Sequence, residues 1–378
     1  MTRCSSKWAQ VDKAPGIASC LRPGPPVTPL SLAALGWSDH FEHQLAAAPP
    51  GSRPARVSAQ HRGAYVLMTS DGLLPAVLSG RLQHESSVMD LPAVGDWVCT
   101  TPPIDAGPVS IVHRFERTTV LTRQASGRRL EPQVLAANVD RVFVVCGLDG
   151  DFNVRRLERY LAVIAESGAT PTIVLSKADQ CDAPQAHIAE AAEISGGADL
   201  LLTCAPRGQG LAELLELLRP GETAAFVGSS GAGKSTLINA LLGNEVQRTS
   251  PVRERDGRGQ HATTHRELFV LPGGALLVDT PGLRELGIWS DQDAPAGFDD
   301  IDALASKCRF RDCTHGDEPG CAVQAAIRDG ALDRERLESL NKLSQELARQ
   351  RQLARDGGNA KRRWRGISLA IRRLKKDE

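Results

Sequence analysis

From Arg56 to Phe115, apolar and polar positions trade places in short runs. Arg56–Gln60, Ala64–Thr69, Leu74–Leu82, Asp96–Thr101 and Ser110–Phe115 carry the alternation of half-buried strands. Turn dipeptides lie between them: Asp71-Gly72, Gly95-Asp96 and Gly107-Pro108. Five short strands in about seventy residues predict a small closed barrel of the OB type, with a β-sandwich fragment as the alternative. From Arg141 the texture changes. Arg141–Gly147 is a continuous apolar run, Val154–Glu166 an amphipathic helical pattern and Thr172–Ser176 a strand. Leu211–Leu218 reads as helix, Thr223–Gly228 as strand and Lys234–Leu242 as helix, followed by strands at Leu268–Leu271 and Ala275–Asp279. Alternating β and α elements predict a mostly parallel sheet covered by helices. Beyond Ser290 the strand pattern stops. Before Ala55, a short helical pattern at Leu30–Leu45 runs into Pro49, Pro50, Gly51 and Pro54, which reads as a loosely ordered extension.

Composition narrows this picture. The 378 residues suit two or three domains. Lys+Arg and Asp+Glu are 45 each, so bulk charge does not announce a nucleic-acid binder and any such activity needs local clustering. No apolar run approaches the roughly 18 residues of a membrane helix, and Met1 to Leu21 lacks an apolar secretory core. A cytoplasmic protein without a membrane partner is expected. Nine cysteines, an odd number without an export signal, argue against a disulfide framework. Cys4, Cys20, Cys99, Cys146, Cys181 and Cys204 are isolated, whereas Cys308, Cys313 and Cys321 cluster.

The strongest chemical signal is Gly228-Ser229-Ser230-Gly231-Ala232-Gly233-Lys234-Ser235, followed by Thr236. It fits the phosphate-binding pattern G-x-x-x-x-G-K-[ST], with a predicted strand before it and a helix after it. Its glycines let backbone N–H groups converge on phosphate oxygens at a helix N-terminus. Lys234 is expected on the β- and γ-phosphates and Ser235 on Mg²⁺. Asp279-Thr280-Pro281-Gly282 ends a later strand, where Asp279 can hold Mg²⁺ and the Gly282 amide can sense a γ-phosphate. Ser176-Lys177-Ala178-Asp179 resembles the N-K-x-D element that reads guanine. The Asp179 carboxylate would accept from guanine N1–H and N2–H₂ and reject adenine. Ser176 stands where Asn is usual and can make only part of the amide's bonds. In Thr203-Cys204-Ala205 the Ala205 amide would bond guanine O6. The base-reading elements here precede the phosphate-reading ones, the reverse of the usual GTPase order. The order is that of a circular permutation.

Two further features complete the chemistry. Cys308, Cys313, His315 and Cys321 form a Cys₃His set within fourteen residues, suited to a closed tetrahedral zinc site. Arg349 to Glu378 holds eleven Lys/Arg against Asp356, Asp377 and Glu378, a local charge of +8 around Trp364. Such clustering beside a zinc knuckle favours RNA phosphates.

These residues resemble the ribosome small-subunit-dependent GTPases called RsgA or YjeQ. The matching stretches are Pro92–Val98, Gln133–Asp140, Gly228–Leu241, Gly257–Leu268, Asp279–Gly287 and Cys308–Val323. The resemblance implies a multi-domain α/β chain: an N-terminal OB-type β-barrel, a circularly permuted P-loop GTPase domain and a C-terminal helical zinc-binding domain. The expected division is an extension over 1–54, the barrel over 55–123, the GTPase domain over 124–290 and the zinc domain with its basic tail over 291–378. It makes Gly257–His265 the first switch, with Thr263 or Thr264 on Mg²⁺ and the γ-phosphate. Leu283 stands where Ras-like enzymes carry a water-orienting Gln, so His261 becomes a candidate catalytic group. The implied function is GTP hydrolysis in late maturation of the small ribosomal subunit, by a monomer that binds GTP or GDP and docks on rRNA through its barrel and zinc domain. The competing readings are a P-loop ATPase and an RNA-binding adaptor in which nucleotide is structural.

Overall fold

The computed structural model describes residues 30–61, 63–102, 107–124, 132–243, 266–279, 297–316, 318–345 and 348. The barrel consists of β1 (Arg53–His61), β2 (Ala64–Thr69), β3 (Gly72–Leu78), β4 (Trp97–Thr100) and β5 (Val109–Arg114). Its pairing runs β1-β2-β3-β5-β4 and returns to β1, so no edge is left open. All ladders are antiparallel except β3–β5, which is parallel. Alternate residues Ala55, Val57, Leu67, Val98, Val109 and Ile111 fill its interior. The run expected as one strand over Leu74–Leu82 ends at Leu78, and α1 (Gly80–Glu85) follows. Ser79 is the reason: its side chain accepts from the Leu82 amide and caps the helix.

The hairpin β6 (Val120–Gln124) and β7 (Pro132–Ala137) connects barrel to sheet, and the alternation pattern did not reveal it. Strand β6 passes through position 123, where the sequence reading ends the barrel. The second sheet has the order β10-β9-β8-β11-β13-β12, formed by β8 (Arg141–Gly147), β9 (Thr170–Ser176), β10 (Asp199–Leu202), β11 (Thr223–Val227), β12 (Glu267–Val270) and β13 (Leu276–Asp279). Strands β8 to β11 and β13 are parallel, and β12 is antiparallel. In β8, Val142 and Val144 face the cluster under α2 (Val154–Ser167), while Phe143 and Val145 face that of α3 (Leu211–Glu216) and α4 (Lys234–Leu242). Both faces are covered, which is why β8 reads as a continuous apolar run.

The barrel meets this sheet at Ala59↔Glu267 and at a buried cation. Arg56, on β1, donates to Gly95 O (3.2 Å), Leu35 O (2.5 Å), Asn138 O (3.1 Å) and Thr223 Oγ1 (2.7 Å). Desolvation lowers its pKa to about 10, against the pull of Asp140 and Asp96. The segment 30–45, expected to be loose, supplies one of those acceptors. Leu35 and Phe41 from it are buried, and Trp37 packs edge-on to Trp97 and Phe115. Its proline-rich flank hid an aromatic anchor.

The C-terminal unit is helical: α5 (Asp299–Ala305), α6 (Ala322–Arg328) and a helix over 334–345. Phe298, Ile301, Val323, Leu337 and Leu343 join the same apolar cluster as α2.

Candidate functional site

Parallel strands end together, so β8, β9, β10, β11 and β13 deliver their following loops to one edge of the sheet. Gly228 leaves β11 with φ +139°, and a Cβ there would lie 2.2 Å from Val145 O. Only glycine fits, and the loop can then turn into α4 at Gly233 (φ +91°). Ser229 is half-buried and Ser230 and Gly231 are exposed, while Ala232 is buried beneath them. Lys234 donates to Gly228 O (2.8 Å) and Ser229 O (2.5 Å), which places its ammonium on the loop's own backbone. Ser235 and Thr236 stand half-buried in the first turn of α4.

Ser176, Lys177 and Asp179 follow β9 at the same edge. The buried Ser176 hydroxyl lies 2.5 Å from Ala232 O and 3.3 Å from Cys146 O. Its single proton ties the loop after β9 to the loop after β11. Lys177 adopts φ +58° and pairs with Asp149. Asp179 is exposed and accepts from the Cys204 thiol at 3.1 Å. That bond, first among its causes, lowers the Asp179 pKa and so favours the ionised acceptor. Ala205 begins the short turn after Cys204. Asp279 is the last residue of β13, opposite Glu267. Gly282, His261, Thr263 and Thr264 lie outside the described residues.

Two residues of this edge escaped the sequence reading. Asp149 holds Lys177, and Asp151 accepts from Ser229 Oγ while pairing with Arg156 (2.8 Å). Their signal was two carboxylates around Gly150, just after a buried strand. Recognising it required knowing that β8 lies between β9 and β11.

The second constellation is local. The donor atoms of Cys308, Cys313, His315 and Cys321 all lie within 4.8 Å of one another. Cys308 Sγ is 3.9 Å from Cys321 Sγ, and each of the two is 3.7 Å from His315 Nδ1. A tetrahedral zinc with bonds of about 2.3 Å to sulfur and 2.0 Å to nitrogen has edges of roughly 3.5–3.8 Å, so the set fits. Backbone amides of Ala322 and Gln324 point at Cys308 Sγ (3.3 Å) and Cys321 Sγ (3.4 Å). Donors on sulfur favour thiolates, the form a metal needs. Glu318 is held down to about 2, chiefly by the Thr314 hydroxyl.

Known proteins agree with this geometry. A family model described as RsgA GTPase matches residues 114–289. A small ribosomal subunit biogenesis GTPase RsgA of Syntrophotalea carbinolica is 46% identical over 329 residues, covering 84% of this chain and 90% of that protein. The chain belongs to the RsgA GTPase family. An RsgA of Methanosarcina acetivorans is 39% identical, covering 90% of this chain and 92% of its own. The crystal structure of YjeQ from Thermotoga maritima aligns with a TM-score of 0.58 at 26% identity, over 79% of this chain and 99% of that one. YloQ, described as a circularly permuted GTPase, aligns at 0.57 and 25% identity, over 79% and 95%. The order of a permuted chain is visible here: β9 and β10, followed by Ser176–Asp179 and Cys204–Ala205, precede β11 and β13, which lead into Gly228 and end at Asp279.

Proposed function

We propose that this protein binds GTP at the strand-end edge, hydrolyses it, and uses that cycle in biogenesis of the small ribosomal subunit. The observation that carries the reading is the Ser176–Ala232 bond, which joins a guanine-type loop to a phosphate-type loop. Asp179, ionised beside Cys204, offers two acceptors to a base edge. Guanine presents two donors there, and adenine an acceptor, so the carboxylate selects guanine. Ala205 offers its amide to the base oxygen. The Gly228–Gly233 amides and Lys234 carry the phosphates, and Ser235 and Asp279 are the groups for Mg²⁺. Mg²⁺ held by these two residues would supply neutralisation of phosphate charge. Thr263 or Thr264, His261 and Gly282 complete the site in this reading, as metal ligand, water-orienting group and γ-phosphate sensor.

Cys308, Cys313, His315 and Cys321 would hold one zinc ion. A zinc ion in this closed donor set supplies folding energy rather than chemistry. The barrel over 55–123 and the zinc domain over 291–378 are the rRNA-docking parts, flanking a GTPase domain over 124–290. This role places its work in the cytoplasm. Among the described residues no helix is long and apolar enough to cross a membrane. The test is turnover of GTP and ATP by the full chain, titrated with isolated small subunits. GTP-selective turnover that rises with subunits is the expected result. Equal use of ATP, or no response to subunits, overturns it.

A further inference from the structure

Within its first two turns, helix α2 is tied to the nucleotide edge through Arg156 and to the C-terminal unit through Arg155 and Glu158. At the first turn, Asn153 caps the helix, accepting from the Arg156 amide at 2.8 Å. Arg156 pairs with Asp151, and Asp151 accepts from Ser229 of the phosphate loop. At the second turn, Glu158 is 2% exposed at its side chain. Its Oε1 accepts from Arg155 (3.0 Å) and from Arg336 (2.8 Å). Its buried Oε2 has no hydrogen-bond partner among the described residues. Arg336 also forks onto Asp300 of α5, with both bonds at 2.7 Å, and lies over the Phe298 ring. Arg155 reaches Asp333 and Glu335.

A buried carboxylate with one orphaned oxygen is a poor way to gain stability, since an apolar pair would fill the space as well. It is a good way to fix register, because two guanidinium groups must come to one point. Arg156, less than one turn before Glu158 on α2, is tied to a carboxylate beside the proposed phosphate loop. Asp151, on the loop after β8, accepts from Ser229 of the proposed phosphate loop, so each phosphate charge bound there would repel it and strengthen the claim of Arg156. Arg156 in the first turn of α2 is held by Asp151 and by the Asn153 cap, and a packed helix passes a shift on as a unit.

We propose that Asp151, Glu158 and Arg336 are positioning residues of the GTPase cycle, with α2 as a strut that sets the C-terminal unit according to the phosphate charge at Ser229. The proposal rests on nucleotide binding at this edge. It gives the metal-bearing unit knowledge of GTP against GDP through the side of the molecule opposite in sequence to the Asp279 strand.

Hydrogen exchange of the full chain tests it, with GDP and with a non-hydrolysable GTP analogue at saturation. Nucleotide binding is measured separately by fluorescence titration. In the unaltered chain, amides of 299–305 should exchange about fivefold differently between the two nucleotide states, the low end of typical coupling. Arg336→Gln should bring that ratio close to one, with the ratio at 148–165 retained. Asp300→Asn, at a more exposed position, should do the same if Arg336→Gln weakens folding. A merely structural contact would speed exchange in both states and leave the ratio unchanged. A ratio that survives both substitutions overturns the strut, as does an unaltered chain that binds both nucleotides yet shows no ratio. A chain that binds neither nucleotide overturns the proposed function as well.

Discussion

The metal set and the nucleotide edge are assembled by different parts of the folding problem. Cys308 to Cys321 close a ligand cluster within one loop and one helix cap, so short-range geometry alone brings the donors together. The nucleotide edge draws Asp149, Ser176, Cys204, Gly228 and Asp279 from five strands. They meet only because those strands are parallel and correctly ordered. In the proposed reading the local site depends on an ion, and the distributed site depends on the sheet. Damage to one should therefore leave the other largely intact.

Removing the ion is the harshest way to break that contrast. Cys313→Ser, or chelation, should abolish zinc binding and unfold the loop around 308–321. Zinc-finger peptides gain about 10 kcal/mol or more from their ion, so the loss is not absorbed locally. Metal analysis and circular dichroism follow it, while GDP affinity should change less than about fivefold, the low end of typical coupling. Comparable loss of GDP binding would mean that the two sites are one unit.

Next in size is Asp179→Asn. It should weaken GDP and GTP by roughly a thousandfold or more, because the donor–acceptor match to the base edge is lost, and should recover xanthine nucleotides. Zinc content should stay at one per chain. Unchanged guanine affinity removes Asp179 from the site.

Arg56→Met sharpens the same point from a distance. It leaves Leu35, Gly95 and Asn138 carbonyls without their buried donor and frees the start of β11, which leads to the phosphate loop. A loss of about 3 kcal/mol is expected by denaturant titration, reduced by the desolvation that the cation itself suffers. The same desolvation fixes the sign with pH. Burial depresses the Arg56 pKa to about 10, so its cationic form opposes folding below that value. That penalty is relieved as the pH rises above about 10, a change absent in Arg56→Met.

The smallest effect belongs to Ser176→Ala. One hydrogen bond between the two loops is worth about 1 kcal/mol, so GTP affinity should fall roughly fivefold. Ser176→Asn, which can donate twice, should raise it. Equal affinities for Ser, Ala and Asn would mean that the loop-to-loop bond does not matter.

The sequence by itself determined the elements with strong periods and the groups with fixed spacing. Lys234–Leu242 and Arg141–Gly147 were legible to the residue, as was the Cys₃His grouping. Each is governed by contacts a few residues apart, and such contacts leave their spacing in the chain. The helix at Gly80–Glu85 and the hairpin β6–β7 were not legible, because a cap and a long-range partner decided them. Asp149 and Asp151 look like ordinary loop carboxylates until β8 is placed between β9 and β11. Leu35 and Phe41 look like a proline-rich tail until Arg56 and Trp97 give them a surface. Glu158 is one charge on an amphipathic helix until Arg336 arrives from the far end of the chain. Tertiary structure alone decided these, because burial and pairing depend on neighbours that sequence separation does not encode.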